Sequence, residues 1–146
     1  DSEMSGCEFN DIDRFMFIEN ASRDLFIAVK NNRYKYTLGD KSGRSVIEFG
    51  AMASCNVFVD FDDNKCHYTY ASYLAMILLQ ESAGNFGTSN FYITGKGNKF
   101  IGDLATSIKM FLIAPTTNYT LNHILLQNII KNYQGTKLDT TYNKII

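Results

Sequence analysis

The sequence predicts one α+β domain, with an antiparallel β-meander or partly closed barrel in its N-terminal half and three helices in its C-terminal half. Three observations predict it. The first half is a series of short β-prone runs broken by Asn, Asp and Gly. Past Ser72 the apolar pattern changes to a helical period. The 146 residues are 45% apolar, with eleven Phe and nine Tyr, which is enough for one core without a disulfide staple. The domain is expected to span 1–146, with residues 1–12 and 135–146 as frayed ends.

The expected strands cover 14–19, 23–30, 33–38, 44–49, 56–61 and 66–70. They are rich in Phe, Ile, Val and Tyr, which suit a pleated surface. Between them lie Asn20-Ala21-Ser22, Asn31-Asn32, Gly39 to Gly43 and Asp62-Asp63-Asn64-Lys65. Such residues tolerate the left-handed backbone of tight hairpins, and connections this short make neighbouring strands antiparallel.

A first helix is expected over 72–81, capped by Ser72 and closed by Gly84, with an apolar centre at 74–79. Residues 91–94 and 99–101 read as a further hairpin around Gly95-Lys96-Gly97-Asn98. Asp103 caps a second helix with Leu104, Ile108, Phe111 and Leu112 on one face, stopped by Pro115. A third starts near Thr120, with Leu121, Ile124, Leu125, Ile129 and Tyr133 on one side and His123, Gln127 and Lys131 on the other. The alternative architecture is an OB-like barrel with appended C-terminal helices. No internal repeat is evident in this reading.

Composition bounds the function only loosely. Fourteen Lys and Arg against fifteen Asp and Glu exclude a polybasic tail. The longest apolar run, Tyr73–Leu79, falls far short of the roughly 20 residues of a membrane-spanning helix, so a soluble chain with no membrane span is expected. Three cysteines make no C-x-x-C pair and no disulfide framework. Sequons at Asn20 and Asn118 are no more than chance supplies, so no compartment is assigned. The first residue is Asp1 rather than Met, which leaves room for a removed leader.

Five features are candidate sites. Lys30, Arg33, Lys35, Lys41 and Arg44 form a basic stretch, with Tyr34 and Tyr36 alternating. Its cations would neutralise phosphates, and its tyrosines would stack on bases if exposed; alternation instead sends the two sets to opposite faces. Gly95-Lys96-Gly97-Asn98-Lys99 has the glycines and cations of a contact loop but neither phosphate-binding motif, and reads as a hairpin tip. Asp60, Asp62 and, if the strands neighbour, Glu48 have the density of a metal site, but turn chemistry explains the acids better and no metal is expected. Cys66-His67 ahead of the first helix raises a thiol nucleophile, although strand neighbours point apart and Cys66 suits a buried position.

The fifth is Gln80-Glu81-Ser82-Ala83-Gly84-Asn85. Over about ten residues this resembles lysozyme-like lytic transglycosylases, in which a Glu followed by Ser ends a buried helix. The resemblance implies Glu81 as general acid of a glycoside hydrolase. The family's downstream Gly-Leu-Met-Gln stretch is absent.

Without a dense cluster of His, Asp, Glu or Cys, the expectation is a non-catalytic binding or assembly domain, with no cofactor, contacting a protein partner or itself. Its contact residues are expected to be Arg33, Tyr34, Lys35, Tyr36, Lys41, Arg44, Lys96 and Lys99. The alternatives are a single-stranded nucleic-acid binder using the same basic and aromatic sheet, and the Glu81 hydrolase.

Overall fold

A computed structural model describes residues 2–12, 14–19, 21–37, 44–50, 54–69, 73–79, 89–102, 107–113, 119–131 and 143–146. All regular structure among them is β-strand, and every strand pairing is parallel. The fifteen strands are β1 (Ser2–Ser5), β2 (Glu8–Asn10), β3 (Arg14–Ile18), β4 (Leu25–Lys30), β5 (Arg33–Tyr36), β6 (Arg44–Phe49), β7 (Asn56–Asp62) and β8 (Lys65–Tyr68). They continue with β9 (Tyr73–Leu79), β10 (Ser89–Lys96), β11 (Lys99–Gly102), β12 (Ser107–Ile113), β13 (Tyr119–Leu126), β14 (Ile129–Lys131) and β15 (Lys144–Ile145).

They form three sheets. Sheet A has the order β1-β4-β7-β10-β13, sheet B β15-β14-β11-β8-β5-β2, and sheet C β12-β9-β6-β3. The chain visits A, B and C in turn and then returns to A one strand further along, so it winds as a parallel β-solenoid. In sheet A, Ile27 pairs with Val59, Val59 with Ile93, and Ile93 with His123, giving steps of 32, 34 and 30 residues. A repeat is therefore present where the sequence reading found none.

The α+β class, the antiparallel meander, the OB-like barrel and all three helices are overturned. From Arg14 onward the first half is cut into strands close to where the sequence places them, while β1 and β2 form in the stretch expected to fray, and the turns are corners rather than hairpins. A two-residue type I′ hairpin needs positive φ at two successive residues. Here each corner between sheets A and B has one: Gly6, Asn31 (φ 54°), Asp63 (φ 54°), Gly97 (φ 66°) and Gln127 (φ 57°). One left-handed residue bends the chain onto a new sheet without reversing it. Each strand then pairs with the previous coil, about thirty residues away.

The expected helix over 72–81 contains β9, the one from Asp103 contains β12, and the one from Thr120 contains β13. Parallel strands covered on both sides carry continuous apolar runs, which mimic a buried helix. Ala75, Met76 and Ile77 are buried in succession on β9, as are Ser45 to Phe49 on β6. Glu48, 4% exposed, accepts from Ser45 Oγ at 3.3 Å and pairs with Arg14 Nε at 3.2 Å.

The core runs along the axis. Sheet A contributes Ile27, Val29, Val57, Val59, Phe61, Phe91 and Ile93; sheet B contributes Tyr34, Tyr36, Cys66, Tyr68, Phe100 and Ile130; sheet C contributes Val46, Ile47, Phe49, Met76 and Ile77. Coil stacks on coil: Tyr36 lies over Tyr68 with ring centroids 5.7 Å apart, and Phe61 contacts Phe100 at 5.9 Å. Each buried large side chain contributes on the order of 1.5–3 kcal/mol. Gly95 sits between Phe61 and Leu125 in register, where a Cβ would meet the Phe61 carbonyl oxygen at 2.8 Å.

The corners are tied by a ladder of buried asparagines, four of which (Asn32, Asn64, Asn98 and Asn128) immediately follow a left-handed residue. Asn32, Asn64, Asn98, Asn128 and Asn143 are all buried. The side-chain Oδ1 of each accepts the backbone N–H one rung before it: Cys7 to Asn32 (2.9 Å), Asn32 to Asn64 (3.0 Å), Asn64 to Asn98 (2.9 Å), Asn98 to Asn128 (2.9 Å) and Asn128 to Asn143 (3.1 Å). The Nδ2 groups donate back to carbonyls of the preceding coil, as Asn32 does to Met4, Asn64 to Val29 and Asn98 to Phe61. Buried backbone groups at a bend need partners, and the ladder supplies them once per coil.

Candidate functional site: a cationic face on sheet B

The corner geometry fixes which side chains reach solvent on sheet B. After Asn32, Asn64, Asn98 and Asn128, the next residue points out and the one after points in. Arg33, Lys65 and Lys99 occupy the first outward position on three successive coils, and they are paired in register from β5 to β8 to β11. Adjacent strands are about 4.8 Å apart, so these three cations form one file at that spacing. Glu8 precedes the file, and Ile129 and Lys144 follow it. A second file two residues along reads Asn10, Lys35, His67, Ile101 and Lys131. All of these except the half-buried Ile101 are exposed.

A shallow hollow of about 260 Å³ lies over this face, walled by Glu8, Arg33, Lys35, Lys65, His67 and Lys99, with Ile101 beside them. Among the described residues the ion pairs are Arg14 with Glu48 and Lys30 with Asp60, and neither involves this face. Arg33, Lys35, Lys65 and Lys99 are thus close together, with no carboxylate of the described residues within ion-pair distance. Like charges at one strand spacing repel one another mildly in water, and an anion laid across them relieves that repulsion.

The outer face of sheet A differs in that its polar groups satisfy one another. Lys30 Nζ lies 2.5 Å from Asp60 Oδ2, which holds the lysine above its usual range. Thr94 Oγ1 donates to Asp60 at 3.3 Å, and the Lys96 backbone N–H donates to Asp62 at 3.0 Å. Burial pushes the Asp62 carboxyl up, with the Lys96 N–H opposing. At the start of this sheet the Asn56 backbone and side-chain N–H groups hold the Asp24 carboxyl below its usual range. Phe26, Phe58 and Tyr92 stack at 4.8 and 4.9 Å beside a groove of about 470 Å³ that also includes Glu3 and Ala28. Phe58 is sandwiched between Phe26 and Tyr92, so most of the ladder's ring faces are spent on one another.

Of the residues expected to form the contact surface, Arg33, Lys35 and Lys99 converge on sheet B. Tyr34 and Tyr36 do not join them: they are 2% and 1% exposed and belong to the core. Tyr34 stacks on Phe9 at 5.2 Å and meets Phe15 edge-on at 4.9 Å. Its hydroxyl has no hydrogen-bond partner among the described residues, and burial drives the phenol far above its usual range, with Asn32 nearby opposing slightly. Lys96 stands on sheet A, and Arg44 begins β6 in sheet C. Lys41 and Glu81 lie outside the described residues. Lys65, His67, Lys131 and Lys144 were not among the expected contact residues, although the recurring pairs Asn32-Arg33, Asn64-Lys65, Asn98-Lys99 and Asn143-Lys144 signal Lys65 and Lys144.

The acid and thiol candidates fall apart in space. Glu48 pairs with Arg14 on sheet C rather than with Asp60 on sheet A. No group of three or more His, Cys, Asp or Glu able to hold a metal occurs among the described residues. Cys66 faces the core while His67 faces out on β8, the next described element is the strand β9, and burial pushes the Cys66 thiol well up. Cys7, Cys55 and Cys66 form no disulfide. Among the described residues no helix is long and apolar enough to cross a membrane. The chain matches no protein-family model, no curated protein and no solved structure.

Proposed function

We propose that this protein is a non-catalytic binding domain that holds a polyanion against the outer face of sheet B. The observation that supports this reading best is the in-register file of Arg33, Lys65 and Lys99 on successive coils. A rigid parallel sheet presents these charges at a fixed spacing, so little ordering cost falls on the protein when a ligand docks. Lys35, His67 and Lys131 widen the file into a band.

Binding of a polyanion releases condensed counterions, so affinity falls with salt in proportion to the cations engaged. With three to five of the cations engaged, log K against log salt is expected to slope at about −2 to −4. Titration of the protein with a heparin-type polyanion at several salt concentrations measures this. Lys65→Glu and Lys99→Glu should each weaken binding at least tenfold, and Lys96→Glu on sheet A should not. Absence of binding at low ionic strength, or equal loss in all three variants, refutes the proposal.

A second reading, contact with a protein partner or a second copy, draws on sheet A, where Phe26, Tyr92 and Ile124 are exposed at 49%, 39% and 62%. It predicts association that survives high salt and is lost in Phe26→Ser. A monomer at high concentration that captures no partner counts against it.

A further inference from the structure

We infer that the polyanion is an acidic polysaccharide lying along the solenoid axis, with one acid group meeting each coil. This rests on the polyanion reading of sheet B and names its ligand. Three observations carry it.

The first is periodicity. The cations repeat once per strand, about 4.8 Å apart, in a straight file across β5, β8 and β11. A sugar ring in an extended glycan advances by a comparable length, so a carboxylate or sulfate on each ring can meet a cation on each coil. The second is the absence of a stacking surface. The Phe and Tyr side chains of sheet B strands, Phe9, Tyr34, Tyr36, Tyr68 and Phe100, all lie on the inward file, and four of them are at most 2% exposed, which leaves the His67 imidazole as the one ring on the outer face of these strands. Single-stranded nucleic acids are held mainly by base stacking on exposed aromatics together with backbone charge, and a run of stacking rings to match the run of cations is lacking on the described strands of sheet B. The third is the pair of aliphatic spots in the band. Ile101 stands between His67 and Lys131, and Ile129 between Lys99 and Lys144. They offer apolar contact to the C–H faces of sugar rings at the positions where a cation is missing.

One end of the site follows from the register. Glu8 on β2 faces Arg33 and would repel an anion, which closes the band at that end. From Arg33 to Lys144 the file crosses four strand spacings, about 19 Å. A ligand of about five acidic sugars spans these strands.

The test is calorimetric titration of the whole chain with three oligomer series at one ionic strength: oligogalacturonates, sulfated oligosaccharides and oligo-dT, each matched in charge count from two to eight. The expected result is tightening from two to about five acidic sugars, then a plateau, with oligo-dT of equal charge at least tenfold weaker. Carboxylated and sulfated arms differing from each other identifies which acid the site takes. Glu8→Lys should move the plateau outward by one residue, a change that no loss of folding can imitate. Equal or tighter binding of oligo-dT, or affinity rising without a plateau, overturns the glycan assignment while leaving a polyanion site. Failure of all three series to bind at low salt overturns both readings.

Discussion

Replacing Asn64 tests the ladder at its best-connected rung. Its Oδ1 accepts from the Asn32 backbone N–H at 3.0 Å and from Asn32 Nδ2 at 3.2 Å. Its Nδ2 donates to the Val29 and Asp62 carbonyls at 2.7 and 2.9 Å and to Asn98 Oδ1 at 3.1 Å. In Asn64→Ala the Asn32 N–H and the Val29 C=O lose the partners that satisfy them in the buried corner. Each stranded group costs about 1–3 kcal/mol, so the variant is expected to lose about 3–5 kcal/mol. Total stability for a domain is about 5–15 kcal/mol, so the loss is a large fraction of it.

Asn64→Asp should be worse at neutral pH. It keeps the acceptor but places a carboxylate against the Val29 and Asp62 carbonyls, where only a donor fits. Acid should partly rescue it, because a protonated Asp donates again. Urea unfolding followed by circular dichroism measures both, with Asn122→Ala on the exposed face of sheet A as the control expected within about 0.5 kcal/mol. If Asn64→Ala costs no more than the control, or Asn64→Asp matches the parent at neutral pH, the ladder does not hold the corner.

Three further outcomes follow from the same structure. Tyr34→Phe removes a buried hydroxyl with no partner among the described residues and keeps the ring contacts to Phe9 and Phe15, so stability should be unchanged or higher, by up to about 1 kcal/mol, in urea unfolding. Gly97→Ala should cost more than Gly6→Ala. Both have positive φ, but only at Gly97 does a Cβ run into the Asp63 carboxyl, while Gly6 has nothing within 4 Å; paired urea melts give the difference. Asp24 and Asp62 should show opposite pH signatures. The Asp24 carboxyl is lowered in the fold, so its stabilisation is present above the ordinary carboxylate range and lost as pH falls through it. The Asp62 carboxyl is raised, so its ionised form opposes folding at neutral pH. Asp24→Ala should therefore lower Tm at pH 7 and not in acid, whereas Asp62→Asn should hold or raise Tm at pH 7, with any gain vanishing in acid.

The strands of the first half could be read locally because alternation and turn residues are local signals. Val57, Val59 and Phe61 alternate with Phe58, Asp60 and Asp62 as a half-buried strand should. The pairing was not local, since Val59 finds its neighbours at Ile27 and Ile93. Two-residue connections suggested hairpins because the count of left-handed residues, one per corner rather than two, is invisible in Asn31-Asn32 or Asp63-Asn64. The later strands misled through their period. Ala75-Met76-Ile77 is buried without a break, which hides the alternation on β9; on β13 burial alternates, but Ile124 and Leu126 stand on the exposed side at 62% and 37%, so the residue types do not show it.

The solenoid itself had left a trace. Asn followed by Arg or Lys recurs at Asn32, Asn64 and Asn98 at nearly constant separation, and each pair is one ladder rung and one outward cation. Read as a repeat, it places Lys65 beside Arg33 and Lys99. Read as isolated turns, it leaves Lys65 unnoticed and assigns Lys96 to the wrong face. The tyrosines show the same distinction: alternation already sent Tyr34 and Tyr36 away from Arg33 and Lys35, and burial in the core is the consequence.

The most direct measurement of the central claim is lysine footprinting. Amine acetylation of the whole chain, read by mass spectrometry with and without a saturating acidic oligosaccharide, reports which face the ligand covers. Protection is expected at Lys35, Lys65 and Lys99 on sheet B, with Lys30 and Lys96 on sheet A unchanged. Equal protection on both sheets, or protection confined to sheet A, contradicts the account.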